Sequence, residues 1–218
     1  MVKIEAFIFD LDGVLVDTAK YHYLAWRKLA NELGFDFSKE ENEQLKGIER
    51  MQSLEILLKI GGLDFSKEKK QQLAAQKNKY YLIFISKMTT NEVLPGVREF
   101  LDEAKSEGFK MALGSASKNA GAILRKTDLE RYFDAIIDGN KIKNAKPDPE
   151  IFLKGAGAVD VQPSKCLVFE DAAAGIQAAI NAGMRSAGIG DPATLSAANV
   201  VVPGFVGLTV YDLLKLVY

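Results

Sequence analysis

The sequence predicts an α/β protein in which a doubly wound parallel sheet is interrupted by an inserted block of helices. Short and nearly continuous apolar runs recur along the chain, which is typical of strands buried on both faces of a parallel sheet. In the second half of the chain, helical segments ending in glycine alternate with these runs, as in α/β folds. Residues 16–90 depart from that rhythm, because only helical patterns fill them.

Six segments have the composition of buried strands. They are Ile4–Phe9, Lys110–Gly114, Ala135–Ile137, Lys165–Phe169, Arg185–Ile189 and Val200–Val202. Five helices are predicted after the inserted block, between and after the strands. They are Val97–Glu107, Asn119–Lys126, Pro149–Ala158, Ala172–Ala182 and Leu208–Val217. Strands and helices in this order predict a Rossmann-like sheet with helices on both faces.

Glycine ends the predicted helices at three places, each time followed by an apolar residue. These are Gly34, Gly108 and Gly183. Glycine adopts the left-handed conformation at low cost, and the next apolar side chain can pack back on the helix. We therefore expect each of these three helices to end at its glycine.

The inserted block contains four predicted helices, Ala19–Leu33, Asn42–Lys46, Met51–Ile60 and Lys67–Met88. Pro95-Gly96 then marks a turn that leads back into the α/β pattern. We therefore expect a core domain formed by residues 1–15 and 91–218, and an inserted helical domain formed by residues 16–90.

Composition limits the classes of function. The chain has 218 residues, 48% of them hydrophobic, with 28 Lys+Arg against 29 Asp+Glu, so no nucleic-acid or anionic-membrane partner is indicated. No apolar run reaches the ~18–20 residues of a membrane span. The lone cysteine, Cys166, is predicted to be a buried, inert thiol. Acidic residues interrupt the N-terminal apolar stretch, so we expect a cytoplasmic protein rather than a secreted one, and nothing suggests more than a monomer.

Polar residues follow several of the predicted strands. The first strand is followed by Asp10 and Asp12, the second by Ser115 and Ser117, and the fourth by Glu170-Asp171, while Lys146 precedes a helix. Because the carboxyl ends of parallel strands meet at one edge of the sheet, these side chains are expected to lie together.

Carboxylate oxygens are the ligands that Mg²⁺ prefers. The chain holds one histidine and one cysteine, so a zinc site is not expected. Lys146 and the Ser115 hydroxyl are candidates to neutralise and bind a phosphate. Asp10 can attack phosphorus to form an aspartyl phosphate, and Asp12 can act as the general acid and base.

These residues, in this order, identify the chain as a member of the haloacid dehalogenase superfamily. The first motif is Phe9-Asp-Leu-Asp-Gly-Val-Leu-Val-Asp-Thr18, and Ser115, Lys146 and Glu170-Asp171 correspond to the second, third and fourth. The inserted helices resemble the small cap domain of this superfamily.

A narrower resemblance, to the β-phosphoglucomutases, covers most of the chain. It is carried by Asp17–His22 with Trp26, Gln44–Arg50, Lys77-Asn78, Leu94–Gly96, Ser115–Asn119 and Glu170–Gln177. It implies interconversion of β-D-glucose 1-phosphate and glucose 6-phosphate, with a phosphorylated Asp10 and glucose 1,6-bisphosphate as intermediate and activator.

The same resemblance implies a role for each site residue. The metal ligands would be Asp10, the Asp12 carbonyl, Glu170 and Asp171, with Asp10, Asp12, Ser115 and Lys146 in the chemistry. Arg50, Ser117, Lys118 and Asn119, beside Ala116, would hold the phosphate that is not transferred. The cap and hinge would contribute Thr18, His22, Trp26, Lys46, Gly47, Ser53 and Lys77.

Two other functions fit parts of the pattern. A sugar-phosphate phosphatase would use the same Asp10 but pass the phosphoryl group to water. A binding module without catalysis would need to have lost the nucleophile or a metal ligand, whereas Asp10, Asp12, Lys146 and Asp171 are present. His22, as a lone histidine, is compatible with packing as well as with a hinge role.

Overall fold

The computed structural model describes residues 3–45, 48 and 50–218. The chain divides into two compact units. We call Met1–Asp17 with Thr89–Tyr218 the core unit, and Thr18–Met88 the helical unit. The inserted helices predicted from the sequence therefore make up a unit of their own.

The core unit contains a parallel sheet, which in the described part of the chain has six strands in the order β3-β2-β1-β4-β5-β6. The strands are β1 (Ala6–Phe9), β2 (Lys110–Gly114), β3 (Ala135–Ile137), β4 (Cys166–Glu170), β5 (Arg185–Ile189) and β6 (Val200–Val202). This is the doubly wound Rossmann-like topology that the sequence predicts. Strand β1 is in the middle, between β2 and β4.

Successive side chains of β1 supply the two faces of the sheet. Phe7 and Phe9 belong to an aromatic cluster, in which the Phe9 ring stacks on Phe169 with centroids 4.4 Å apart. Ala6 and Ile8 belong to a separate apolar cluster that includes Phe152. Because all four residues of β1 are buried, its continuous apolar sequence is explained by burial on both faces.

Five α-helices accompany the sheet in the described residues of the core unit. They are α5 (Val97–Ser106), α6 (Ala120–Lys126), α7 (Glu150–Ala158), α8 (Ala173–Asn181) and α9 (Val210–Val217). Each lies within a residue or two of its predicted range, as expected for helix ends that are set by capping. Residues of α7 and α8 contribute to the same apolar cluster as Ile8.

The helical unit is built from α1 (Ala19–Glu32), α2 (Lys39–Asn42), α3 (Arg50–Ile60) and α4 (Lys67–Ile85). The predicted helix Asn42–Lys46 is wrong: the α-helix ends at Asn42, and Glu43–Leu45 is a 3₁₀ turn. A capping box between Ser38 and Glu41 fixes an earlier start. Lys46 lies outside the described residues.

The glycine stops predicted from the sequence are confirmed. Gly34, Gly108 and Gly183 have φ of +93°, +84° and +70°. After Gly108, the amide of Phe109 donates to the Ala104 carbonyl at 3.1 Å, which closes the end of α5. None of the helices in the described ranges is long and apolar enough to cross a membrane.

The chain leaves and re-enters the core unit at neighbouring points. Val16 forms an antiparallel bridge with Val93. The Asp17 amide donates to the Glu92 carbonyl at 2.9 Å, and the Leu94 amide donates to the Leu15 carbonyl at 3.0 Å. The two ends of the insertion are therefore joined by backbone hydrogen bonds.

Candidate active site

Two buried carboxylates lie at the carboxyl ends of adjacent strands. Asp10 follows β1 directly, and Glu170 is the last residue of β4. The two strands pair in register at Phe9 and Phe169, and the Asp10 amide donates to the Phe169 carbonyl at 2.9 Å. The chain order of the sheet reverses between β1 and β4, which is where ligands bind in doubly wound folds.

Lys146 joins these two carboxylates. Its Nζ donates to Asp10 Oδ1 at 2.5 Å and also to Glu170 Oε1. The side chain of Lys146 is 10% exposed, and that of Glu170 is 1% exposed. Lys146 therefore supplies the positive charge that two buried carboxylates need.

Two glycines make room for the carboxylates. A Cβ on Gly13 would lie 2.0 Å from Asp171 Oδ2, and a Cβ on Gly175 would lie 2.0 Å from the carboxyl carbon of Glu170. Glu170 also accepts a hydrogen bond from the Ala172 amide at 3.2 Å. Because Gly13 and Gly175 have no side chain, the carboxylates of Asp171 and Glu170 can lie where they do.

The carboxylates influence one another electrostatically. Burial raises the pKa of Glu170 to about 7, against the opposing effect of the Lys146 ammonium. Burial, followed by the charges of Asp10, Glu170 and Asp12, raises the pKa of Asp171 to about 8. Burial alone would lower the pKa of Lys146, but Asp10 and Glu170 raise it above its ordinary value. The site has more negative charge than one lysine balances.

The donor chemistry of this site fits a hard divalent cation. Within the described ranges, no three His, Cys, Asp or Glu side chains form a preassembled metal cluster. Burial and the charges of the neighbouring acids nevertheless raise the pKa of Asp171, and the donors of these acids are all oxygen atoms. An additional cation would relieve their mutual repulsion.

Asp12 lies in the turn after β1. Its amide donates to Asp10 Oδ2 at 3.0 Å, and it forms a parallel bridge with Val16. The next amide, that of Gly13, donates to the Val16 carbonyl at 2.9 Å. The turn fixes the backbone of Asp12 close to Asp10 and orients one oxygen of the Asp10 carboxylate.

The loop after β2 carries Ser115 through Asn119. The buried Ser115 hydroxyl accepts from the Ser117 amide at 3.2 Å, and the Ser117 hydroxyl accepts from the Asn119 amide at 3.3 Å. Ala116 and Lys118 are exposed. Hydrogen bonds between hydroxyls and backbone amides therefore order this loop. Its other polar groups can contact a ligand.

A second loop supports this one. The Asn140 amide side chain donates to the Lys118 carbonyl at 3.0 Å, and the Gly139 amide donates to the Ser117 carbonyl at 3.3 Å. A Cβ on Gly139 would lie 2.2 Å from the Ala116 carbonyl oxygen. The residues after β3 thus contact the predicted phosphate-binding loop closely.

In the helical unit, buried Lys77 and half-buried His22 form a polar pair among aromatic rings. Lys77 Nζ lies 2.9 Å from His22 Nδ1 and 4.5 Å from the centroid of the Trp26 ring. The His22 ring lies 4.2 Å from Tyr81. Burial, with the charges of Lys77 and Arg50, holds the pKa of His22 well below its usual range. His22 is therefore a neutral partner of Lys77.

Three further predicted residues of the helical unit are described. Thr18 is fully buried at the start of α1, and its carbonyl accepts from the amides of Tyr21 and His22. Ser53 is buried, and its hydroxyl donates to the Ile48 carbonyl at 3.2 Å. Arg50 begins α3. Lys46 and Gly47 lie outside the described residues.

Comparison with known proteins shows the family of the chain. A model of the haloacid dehalogenase-like hydrolases matches residues 4–183. The chain belongs to the haloacid dehalogenase-like hydrolase family. The matched range contains Asp10, Lys146 and Glu170.

Individual relatives are similar over most of their length. The chain is 43% identical to the β-phosphoglucomutase of Bacillus subtilis, over 91% of this chain and 88% of that protein. It is 36% identical to a phosphorylated carbohydrates phosphatase of Thermotoga maritima, over 83% of this chain and 82% of that protein. The crystal structure of β-phosphoglucomutase from Clostridium difficile superposes with a TM-score of 0.90 at 46% identity, covering 98% of this chain and 97% of that one.

Four residues of the site region were not singled out from the sequence. Gly13 and Gly175 permit the close approach of carboxylates, and Glu150 and Asn181 contact the loop that carries Lys146. A glycine next to a cluster of acids is a signal that could have indicated the first two. The last two act through contacts between separate segments, for which a single sequence gives no signal.

Proposed function

We propose that this protein interconverts β-D-glucose 1-phosphate and glucose 6-phosphate. The observation that carries the proposal is Asp10, placed between Lys146 and the turn of Asp12 at the sheet's switch point. The likeness to β-phosphoglucomutases at 43% and 46% identity over nearly the whole chain supports this substrate.

In the proposed cycle, the phosphorylated Asp10 reacts with the C6 hydroxyl of β-glucose 1-phosphate. The hydroxyl oxygen bonds to phosphorus, the bond from phosphorus to the Asp10 oxygen breaks, and Asp12 takes the hydroxyl proton. The glucose 1,6-bisphosphate then turns round. Asp10 attacks its C1 phosphoryl group while Asp12 returns the proton to the departing sugar oxygen, which gives glucose 6-phosphate.

Catalysis of this reaction depends mainly on neutralising the negative charge of the phosphoryl group that is transferred. Lys146, whose Nζ is 2.5 Å from Asp10 Oδ1, is placed to neutralise it. We propose that the side chains of Asp10, Glu170 and Asp171 and the carbonyl of Asp12 would hold Mg²⁺, which supplies further positive charge when bound. The Ser115 hydroxyl is proposed to bind a phosphoryl oxygen.

Residues for the second phosphate are proposed in each unit separately. In the core unit, the loop Ala116–Asn119 offers backbone amides, the Ser117 hydroxyl and the Lys118 ammonium. In the helical unit, Arg50 is proposed as a bidentate phosphate ligand and Lys77 as a polar contact to the substrate. Thr18, His22, Trp26, Ser53, Lys46 and Gly47 stay proposed members of the cap and its hinge.

A phosphatase that acts on sugar phosphates is the alternative. The similarity to the phosphorylated carbohydrates phosphatase of Thermotoga maritima favours it. Both functions need Asp10 as nucleophile, and they differ only in whether a sugar hydroxyl or water attacks the aspartyl phosphate. The group that accepts the phosphoryl group from Asp10 therefore discriminates between them.

The test is one reaction that contains β-glucose 1-phosphate, Mg²⁺ and a trace of glucose 1,6-bisphosphate. Glucose 6-phosphate and inorganic phosphate are followed together. Rapid formation of glucose 6-phosphate with little phosphate is the expected result. Release of phosphate without glucose 6-phosphate would favour the phosphatase, and failure of both would exclude this sugar.

A further inference from the structure

The loop that presents Lys146 is held by side chains outside the candidate site. It runs from the end of β3 to the start of α7 and has little regular structure. A lysine that bridges two buried carboxylates needs a defined backbone position, because its flexible side chain alone does not fix Nζ. The contacts of this loop therefore bear on the chemistry.

Glu150, at the start of α7, binds the loop before Lys146. Its Oε2 accepts from the amides of Lys143 and Asn144, both at 2.9 Å. Its Oε1 accepts from Lys154 Nζ at 2.6 Å, and Lys154 Nζ also donates to the Lys141 carbonyl at 2.6 Å. Two side chains one helical turn apart on α7 thus bind three backbone groups of the loop.

A different helix binds the loop just after Lys146. The Asn181 side-chain amide, at the end of α8, donates to the Pro147 carbonyl at 2.9 Å. The carbonyl group of the Asn181 side chain accepts from Gln177 at 2.9 Å, which orients Asn181. The backbone is therefore held by side-chain hydrogen bonds both before and after Lys146.

From these contacts we infer that Glu150 is a positioning residue for Lys146, and that this role serves the proposed phosphoryl transfer to Asp10. Glu150 accepts hydrogen bonds from the backbone amides of Lys143 and Asn144, which precede Lys146 by three and two residues. Loss of its carboxylate removes the side chain that binds those two amides and frees the backbone that carries the ammonium. Lys146 Nζ then no longer bridges Asp10 and Glu170 in one geometry.

The electrostatics of Glu150 agree with this role. The hydrogen bond from Lys154, followed by those from the amides of Asn144 and Lys143, lowers the pKa of Glu150 to about 2. The side chain is 17% exposed, whereas its partner Lys154 is 43% exposed. Glu150 is thus ionised at neutral pH and is held more firmly than an ordinary surface glutamate.

The first experiment measures phosphorylation of Asp10 by acetyl phosphate with Mg²⁺, using intact mass at timed intervals. We expect Glu150→Ala to slow this step by about 10- to 100-fold, since small displacements of a catalytic group have effects of that size. Glu150→Gln should recover most of the rate, because the amide oxygen can still accept both backbone hydrogen bonds. Thermal unfolding is recorded for each variant.

A matched control is Glu130→Ala in the same unit. Glu130 makes a side-chain ion pair with Arg125 at 3.4 Å and is 45% exposed. We expect Glu130→Ala to leave the phosphorylation rate unchanged. If it slows the step as much as Glu150→Ala, the effect arises from the loss of surface charge, and the positioning role is overturned.

The second experiment asks whether Glu150 acts through Lys146. Lys146→Ala and the double variant Lys146→Ala/Glu150→Ala are compared in the same assay. A positioning residue has nothing left to position once Lys146 is absent, so the double variant should be as fast as Lys146→Ala alone. A further slowing of 10-fold or more, on the order of the single effect, would overturn the inference.

Failure of this inference can be told from failure of the proposed function. If wild-type protein forms no phosphorylated Asp10 and no glucose 6-phosphate, the proposed function fails. If the wild type reacts and Glu150→Ala reacts equally fast, only the positioning role fails. Equal rates with a lowered unfolding temperature would assign Glu150 a role in stability alone.

Discussion

The two units each bury a lysine, and they accommodate it in different ways. In the core unit, Lys146 Nζ lies between the carboxylates of Asp10 and Glu170. In the helical unit, Lys77, which is 3% exposed, contacts the imidazole of His22 and the ring of Trp26. One ammonium contacts two acids, and the described contacts of the other include an imidazole and an aromatic ring.

The difference suggests separate tasks for the two sites. The acids and lysine of the core unit are held on strand ends and tight turns, as charge stabilisation during phosphoryl transfer requires. Lys77 is instead buried beside His22 and the Trp26 ring, and its proposed task is a polar contact to the sugar. Four predictions test this contrast, from the largest expected effect to the smallest.

Asp10→Asn should abolish turnover while the fold is kept. The substitution preserves shape but removes the nucleophilic carboxylate, so we expect a loss of at least about 10⁴-fold in kcat. Formation of glucose 6-phosphate and intact mass after exposure to acetyl phosphate are the measurements. Appreciable turnover in a folded variant would mean that the core unit does not carry out covalent catalysis.

The matched pair Lys146→Met and Lys77→Met tests how much each buried lysine contributes to stability. Lys146→Met leaves two carboxylates without their cation and should destabilise the protein by about 3–5 kcal/mol. Lys77→Met keeps much of the packing against aromatic rings and should change stability by less than about 1.5 kcal/mol. Urea unfolding in the presence of EDTA gives both values. Equal losses would contradict the contrast.

Glycine substitutions separate local strain from close approach. Gly13 and Gly34 have φ of +82° and +93°, so alanine at either should cost about 1–2 kcal/mol of backbone strain. Only at Gly13 would the new Cβ meet Asp171, whereas no atom lies within 4 Å at Gly34. We therefore expect Gly13→Ala alone to reduce kcat. If Gly34→Ala reduces kcat as much, steric room at the carboxylates is not the cause.

The smallest effect concerns stability in acid. An acid whose folded-state pKa lies below its unfolded value stabilises the fold once it is deprotonated. The contribution of Glu150 is therefore fully present above its ordinary pKa of 4.5 and is lost as the pH falls towards about 2. Glu150→Gln should make unfolding less dependent on pH in this window.

Asp64→Asn in the helical unit is the comparison for that measurement. The Lys70 ammonium lowers the pKa of Asp64, but the Asp64 side chain is 88% exposed. Solvent screening should make its contribution smaller than that of Glu150. A larger pH effect for Asp64→Asn would show that the backbone hydrogen bonds of Glu150 add little to stability.

Much of the core unit could be predicted from local patterns. The ranges of β2, β3, β5 and β6 agree with the expected ones, because these strands are apolar runs bounded by turns. The helix expected over Asn42–Lys46 was wrong because the capping box of Ser38 and Glu41 starts the α-helix earlier, and Glu43–Leu45 is a 3₁₀ turn. The lone thiol was predicted well: Cys166 is buried, and burial raises its pKa to about 11.

The candidate site was predictable to the extent that parallel strands bring their carboxyl ends together. That rule places Asp10 and Glu170 at one edge, where Lys146 contacts both. It does not reveal that Lys146 joins those two groups in particular, since a loop residue has no register. Nor does it reveal Glu150 or Asn181, whose contacts depend on how α7 and α8 pack against the sheet.

The short bridge between Val16 and Val93 has a consequence for the chain as a polymer. Strands β1 and β2 are neighbours in space although the whole helical insertion separates them in sequence. The entropy lost in closing a flexible loop grows only with the logarithm of its length, and in this chain backbone hydrogen bonds hold the two ends of the insertion together. For the sheet, the helical unit thus counts as a short connection, so evolution can lengthen or exchange it without refolding the strands that hold Asp10.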